Sequence, residues 1–442
     1  MEIISTKEST VLSIYKPTSV LTLLTLVVLQ IKHVGGDHLV LAQAVFRHGD
    51  RSPTHSFPKD RYQDHWPQGL GQLTKIGMNQ EYGLGKFLRK QYILEGTYDA
   101  FLSSNYSHSE IYVRSTDKDR TLMSAYCVLS GLYPPNGTDQ QWNPDLNWQP
   151  IPVHTKPLDE DFLLNMRAPC PRFTELLAKF LASEFIANFT AQHQDLINKA
   201  AELSGLPATL VGLITIVDPL FCEYTNNLNM SEWEQVIPLH PLLTQLLDFQ
   251  NSYMFYTDEM AKLRGGSLLG KIIGNMESAL NPPSPTQPSP KIYLYSAHDT
   301  TIVALLRVMN VFNSRTPGYS SCLMVELWTP EGQGKPYVKV LYKNVTDSDN
   351  LVVLHIPGCG KNCTLEDFTK LLKNNVPKDI QAECNPSLQQ NSKSDIHVGI
   401  VVLGCLVALL ALVVTALITF ICKRRQTLQS YRPLSTDDDD YA

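Results

Sequence analysis

The residues best suited to chemistry are Arg47, His48, Gly49, Asp50, Arg51, Ser52 and Pro53, which form one unbroken run. Two guanidiniums flank an imidazole. Such forks of fixed positive charge suit a doubly charged anion, with phosphate the obvious candidate. An imidazole beside a phosphorus centre can act as its nucleophile. An isolated Arg-His dipeptide is usually a surface pair or a satisfied turn. Here Gly49 adds room for close backbone approach to a ligand. Arg51 adds the second charge, and Pro53 stiffens the exit.

The neighbouring elements must hold that run in place. Residues 39–46 (LVLAQAVF) read as a buried strand, which puts the Arg-His pair at a strand C-terminal end. Open α/β sheets bind ligands there. Residues 111–114 (IYVR) form a short strand ending on Arg114, and Ser115, Thr116 and Asp117 offer N-caps for a helix to about residue 132. A third strand, 291–296 (KIYLYS), leads into Ala297, His298 and Asp299, with a helix expected from near Ile302. Residues 73–92 read as helix, and 322–329 and 337–342 as further strands.

Between about 157 and 280 the pattern is mainly helical. Leu268, Leu269, Ile272, Ile273, Met276 and Leu280 carry the i, i+3, i+4 spacing of a packed face. Residues 281–290 (NPPSPTQPSP) read as an exposed connector. The sum is an α/β fold: a mostly parallel sheet flanked by helices, with a helical cap insertion. A parallel sheet can bring Arg47, His48, Arg51, Arg114, His298 and Asp299 to one edge. Phosphoryl transfer mainly needs positioning and charge neutralisation, which these groups supply. The histidines show no HExxH or His-x-His spacing, so no metal or cofactor is called for.

Composition narrows the setting. The 442 residues carry a net charge of −6, so nucleic-acid binding has no electrostatic support. Residues 20–31 form an apolar core too short to span a bilayer, and residues 1–36 read as a signal peptide. Residues 398–422 are uncharged over 25 positions, roughly 37 Å of helix. Lys423, Arg424 and Arg425 follow, which places the C-terminus in the cytosol. The expected organisation is a luminal domain at 37–396, a transmembrane helix at 397–422 and a cytosolic tail at 423–442.

Seven of the nine cysteines are luminal, an odd number, so at least one thiol stays free. Cys127, in a predicted amphipathic helix, is assigned that role. Sequons at Asn105, Asn136, Asn188, Asn229 and Asn344 are expected to be glycosylated. A sixth, Asn362, lies between Cys359 and Cys363, where a tight ring would hinder modification. In the tail, Tyr431 and Leu434 form a Tyr-x-x-apolar pattern of the kind clathrin adaptors read.

The chain resembles the histidine acid phosphatases of the histidine phosphatase superfamily, most of all their animal lysosomal and prostatic branch. Residues 47–53 match the RHGxRxP signature and 297–300 the late His-Asp motif. Residues 111–120 (IYVRSTDKDR) match the stretch bearing the third arginine, and 66–73 (WPQGLGQL) is similar to the same group. The resemblance implies a phosphoglycerate-mutase-like core and acid phosphatase activity on phosphate monoesters. His48 would be the nucleophile that forms a phosphohistidine. Asp299 would protonate the leaving alcohol and then assist water. Arg47, Arg51, Arg114 and His298 would hold the phosphoryl oxygens. Disulfides Cys170–Cys384, Cys222–Cys322 and Cys359–Cys363 are implied, leaving Cys127 free, and such relatives are often homodimers. With the anchor, this gives a lysosomal or endosomal membrane enzyme. Two alternatives remain open: a cell-surface ectophosphatase on nucleotides or lysophospholipid phosphates, and a catalytically silent transmembrane binding glycoprotein.

Overall fold

The computed structural model describes residues 36–94, 101–237, 241–282, 289–344 and 349–386, with scattered positions between 403 and 423. Residues 1–35 of the expected signal peptide, nearly all of the apolar segment at 398–422, and Tyr431 and Leu434 lie outside the described residues. Among those described, no helix is long and apolar enough to cross a membrane.

The centre of the fold is strand β1, His38–Arg47, buried from Leu41 onward. Its alternating side chains feed two cores. Leu41 and Val45 join one apolar cluster, while Ala42, Ala44 and Phe46 join the other. A strand covered on both faces needs a near-continuous apolar sequence, which is what residues 39–46 supply. The polar exception, Gln43, is satisfied: its amide donates to the Ile272 carbonyl at 2.9 Å and accepts from Asn275 at 2.8 Å.

Strand β2 is Ile111–Ser115, β3 is Ile292–Ala297, β4 is Cys322–Thr329 and β5 is Tyr337–Lys343. Two short strands, β6 (Val352–Leu354) and β7 (Cys363–Thr364), finish a seven-stranded sheet of order β2-β3-β1-β4-β5-β6, with β7 also on β5. Only the β2–β3 and β3–β1 pairings are parallel; β4 to β7 are antiparallel. This corrects the expected mostly parallel sheet to a mixed one. For β4 and β5 the cause is the short link from Thr329 to Tyr337, which closes a hairpin; a parallel return would need a longer crossover.

Helix α1 (Lys75–Tyr92) and α2 (Asp119–Leu132) cover one face. Thr74 caps α1 by accepting from Gly77 N. The start of α2 differs from expectation. Ser115 ends β2, Lys118 holds the cap position, and the Thr116 hydroxyl is engaged elsewhere.

The helical stretch contains α3 (Pro171–Leu181), α4 (Glu184–Gln192), α5 (Gln194–Ser204), α6 (Leu210–Thr225), α7 (Ser231–Glu234), α8 (Leu242–Ser252) and α9 (Asp258–Leu280). Residues from α3 to α8 build a separate apolar cluster around Leu213, Ile216, Leu220 and Leu246, joined by Phe57 from the loop after β1. Helix α9 belongs instead with the sheet: Leu268, Leu269, Ile272, Ile273 and Met276 pack with α10 (Asp299–Val308). The chain finishes with α11 (Leu365–Leu372) and α12 (Ile380–Cys384).

Cys170–Cys384 and Cys359–Cys363 are bonded. Cys222 and Cys322 are not; with Cys127 they are free thiols, which corrects the implied third bridge. The two sulfurs serve different neighbourhoods. Cys222 accepts from Arg51 at 3.2 Å, and Cys322 packs in the cluster covered by α1 and α2. Cys127 is half-buried. Of the sequon asparagines, Asn136, Asn188, Asn229 and Asn344 are exposed, while Asn105 is half-buried and donates to Asp139 at 2.7 Å.

Candidate active site

Parallel register sets the site. Arg47 at the end of β1 pairs with Ala297 at the end of β3, so His48 and His298 emerge side by side. Their rings meet edge to face with centroids 5.5 Å apart. The loop after β1 is fixed by Asp50, whose carboxylate accepts from Thr74 at the start of α1 and from Thr225 and Asn226 at the end of α6. Gly49 has a packing reason rather than a ligand-facing one. A Cβ there would lie 2.4 Å from the Gly77 carbonyl, and one on Gly77 would lie 2.1 Å from the Asp50 carbonyl. Two glycines let the loop lie directly on α1.

Each arginine of the run is held in place. Arg47 is 1% exposed. It pairs with Asp299 at 2.9 Å, donates to the Pro317 carbonyl at 2.6 Å and lies 4.2 Å above the Tyr319 ring. Arg51 binds Asp218 through both terminal nitrogens, at 2.7 and 3.3 Å. That guanidinium and a backbone hydrogen bond from Thr54 overcome burial and hold the Asp218 carboxyl well below the usual range. The Nε atoms of Arg47 and Arg51 are buried with no partner among the described residues. Buried donors without partners carry a desolvation cost, which an incoming anion can relieve.

His48 has one ring nitrogen committed to the backbone. Its Nδ1 donates to the Gly49 carbonyl at 2.8 Å, which leaves Nε2 with its lone pair. Burial first, then the charges of Arg120, Arg51 and Arg47, push its pKa well below the ordinary value. His298 caps α10, and its Nε2 lies 3.0 Å from the Thr116 hydroxyl. Burial and the same cations hold it neutral too. A phosphate dianion would offset those cations and return donor capacity to His298.

Arg47, His48, Arg51, His298 and Asp299 line one cavity of about 910 Å³ between the sheet edge and the cap. Arg114 does not. It is paired with the fully buried Asp161, which also accepts from the backbone of Leu163 and Leu164. Arg120 lines the cavity instead, with one terminal nitrogen 3.5 Å from His298 Nδ1. Burial, then Arg51, brings its pKa down to about 10, so it stays cationic at physiological pH. The expected third arginine is thus corrected from Arg114 to Arg120. A strand-end residue beside a helix start satisfied the sequence rule, but the side chain at the second residue of α2 is the one that lines the cavity.

The family profile of the Histidine phosphatase superfamily (branch 2) matches residues 38–343. The chain belongs to this family. Human lysosomal acid phosphatase is 39% identical over 401 residues, covering 89% of this chain and 90% of that protein. Human prostatic acid phosphatase is 40% identical over 346 residues, covering 77% and 86%. Among solved structures, Hafnia alvei phytase in complex with tartrate aligns with a TM-score of 0.59 at 19% identity, covering 80% of this chain and 99% of that one. At that identity the likeness is one of fold.

Sequence reasoning about this histidine phosphatase missed Asp218, Thr116 and Tyr319, which support Arg51, His298 and Arg47. Asp218 and Tyr319 stand in no charged strand-end loop, so no local signal marked them, while Thr116 carried only a helix-cap signal. It also missed a pair of carboxyls outside the site cavity. Glu223, one position beyond Cys222 on α6, is buried beside Asp60, and the two together raise its pKa to about 8. A raised carboxyl pKa favours the fold in acid. Its contribution is full below the ordinary value of 4.5 and is lost as pH rises through about 8. Glu223→Gln keeps an uncharged side chain throughout. The parent's melting temperature relative to this variant is therefore expected to fall between pH 5 and pH 8. Parallel melting curves across that window would contradict the assignment.

Proposed function

We propose that this histidine phosphatase is an acid phosphatase that hydrolyses phosphate monoesters through a phosphohistidine on His48. One observation carries the reading: a neutral imidazole, its Nδ1 committed to Gly49, within the field of Arg47, Arg51 and Arg120. The substrate dianion binds those guanidiniums and His298. With Arg47 taken over by the substrate, the Asp299 carboxylate picks up a proton from the acidic medium. His48 Nε2 attacks phosphorus, the ester P–O bond breaks, and Asp299 gives that proton to the departing alkoxide. Asp299 then takes a proton from the water that attacks phosphorus, the P–N bond breaks, and inorganic phosphate leaves. The arginines neutralise charge on the equatorial oxygens in both steps. The depressed pKa of His48 keeps its nucleophilic form populated in an acidic lumen.

The relatives' lysosomal name, the apolar segment at 398–422 and the Tyr431/Leu434 pattern support a type I protein of the endosomal and lysosomal membrane. A joint experiment tests activity and address. The full-length chain, expressed in cells, is expected to release phosphate from phenyl phosphate at pH 5 and to sediment with lysosomal membranes. Tyr431→Ala is expected to move it to the cell surface. Surface enrichment of the parent would overturn the address, and absence of phosphate release would overturn the chemistry.

A further inference from the structure

The cavity is larger than phosphoryl transfer needs. Its volume of about 910 Å³ is near the top of the range for pockets that enclose drug-sized ligands. The surplus lies under the cap, where Met166, Phe221, Leu247 and Met254 contribute an apolar wall. Arg167 and Tyr253 belong to the same lining. Arg167 is exposed, and its guanidinium makes no ion pair or hydrogen bond among the described residues. Arg47 and Arg51, by contrast, each hold a carboxylate. The charge of Arg167 is felt by Arg120 and His298, both of which it pushes towards their uncharged forms. It also favours the ionised form of the Tyr253 phenol. An uncompensated cation beside an already cationic clamp is unfavourable in the empty cavity and favourable once anions fill it.

We propose that Arg167, with the Tyr253 hydroxyl, forms a second anion subsite under the cap. The enzyme then prefers phosphomonoesters whose leaving group has an apolar body and ends in its own anion, a carboxylate or a second phosphate. This rests on the phosphohydrolase reading and adds leaving-group selectivity to it. The apolar wall desolvates the body of the leaving group, and the guanidinium takes the distal anion as a charge-assisted pair.

The test uses the full-length chain at pH 5.5 with two esters of one skeleton. One is the phosphate of 3-(4-hydroxyphenyl)propanoic acid and the other its methyl ester, which lacks the distal charge. Phosphate release from the methyl ester reports on the His48 site by itself. The ratio of kcat/KM for acid over ester reports on the subsite. That ratio is expected to exceed one in the parent and to fall about tenfold in Arg167→Met, through KM, as loss of one charged hydrogen bond would cause. Arg167→Lys should retain most of it, and Tyr253→Phe should lower it by a smaller factor. A ratio unchanged in Arg167→Met would overturn the proposal. So would a fall in the ratio carried by kcat with KM unchanged, because that would mark an effect on the reacting centre and not on the subsite.

Discussion

His48→Ala is expected to lower kcat on phenyl phosphate by at least about 10³-fold, the scale set when a covalent nucleophile is removed. No other group can replace it. His298, the nearest imidazole, faces Thr116 and Arg120 with its two nitrogens. The arginines can position and neutralise a phosphate but cannot attack it. The variant should still bind inorganic phosphate, since Arg47, Arg51 and Arg120 are untouched. The loss should therefore appear in kcat with little change in the inhibition constant for phosphate. Rapid quenching into alkali after mixing with a radiolabelled phosphate ester should leave label on the parent and none on His48→Ala. Label retained by the variant would refute the nucleophile assignment.

The second large effect separates two arginines that lie close together in sequence. Arg120→Met removes a cavity-lining cation with one nitrogen 3.5 Å from His298. It is expected to lower kcat/KM by about 10²- to 10³-fold, as loss of one preorganised charge-stabilising donor does. Arg114→Met leaves Asp161, which is 0% exposed, as a buried carboxylate without its cation. Breaking such a pair costs about 3–5 kcal/mol. That variant should melt well below the parent yet turn over substrate near the parent rate in whatever fraction stays folded. Active-site titration alongside thermal melts distinguishes the two. Should Arg114→Met show parental stability and a 10²-fold activity loss, the assignment of Arg120 over Arg114 fails.

Much of this site was readable in the sequence because chemistry and topology coincide there. Residues 47–53 and 297–299 each follow a run apolar enough to be only a buried strand, and adjacent parallel strands bring their ends together. Residues whose identity matters through distant partners were not readable. Asp218 lies inside a mostly apolar helix, and its role appears only when α6 crosses the loop after β1. The antiparallel half of the sheet was missed for a related reason. Strands β4 and β5 are apolar in the same way as parallel strands, and only the shortness of the link between them reports the hairpin. Cys222 and Cys322 show the limit of pairing by resemblance: each sulfur is occupied by its own surroundings.

Strand β1 lies between β3 and β4, and its partner residues on them come about 250 residues or more later in the chain. During synthesis the ribosome therefore delivers the middle of the sheet first and both of its neighbours last. An apolar strand with two open edges is a template for wrong pairing. The nascent chain must keep β1 shielded while the whole cap emerges, and His48 remains inert until β3 docks. The enzyme cannot cleave esters in the compartment where it is made before its chain is nearly complete. Its dependence on folding factors should therefore be steepest for truncations that end within the cap.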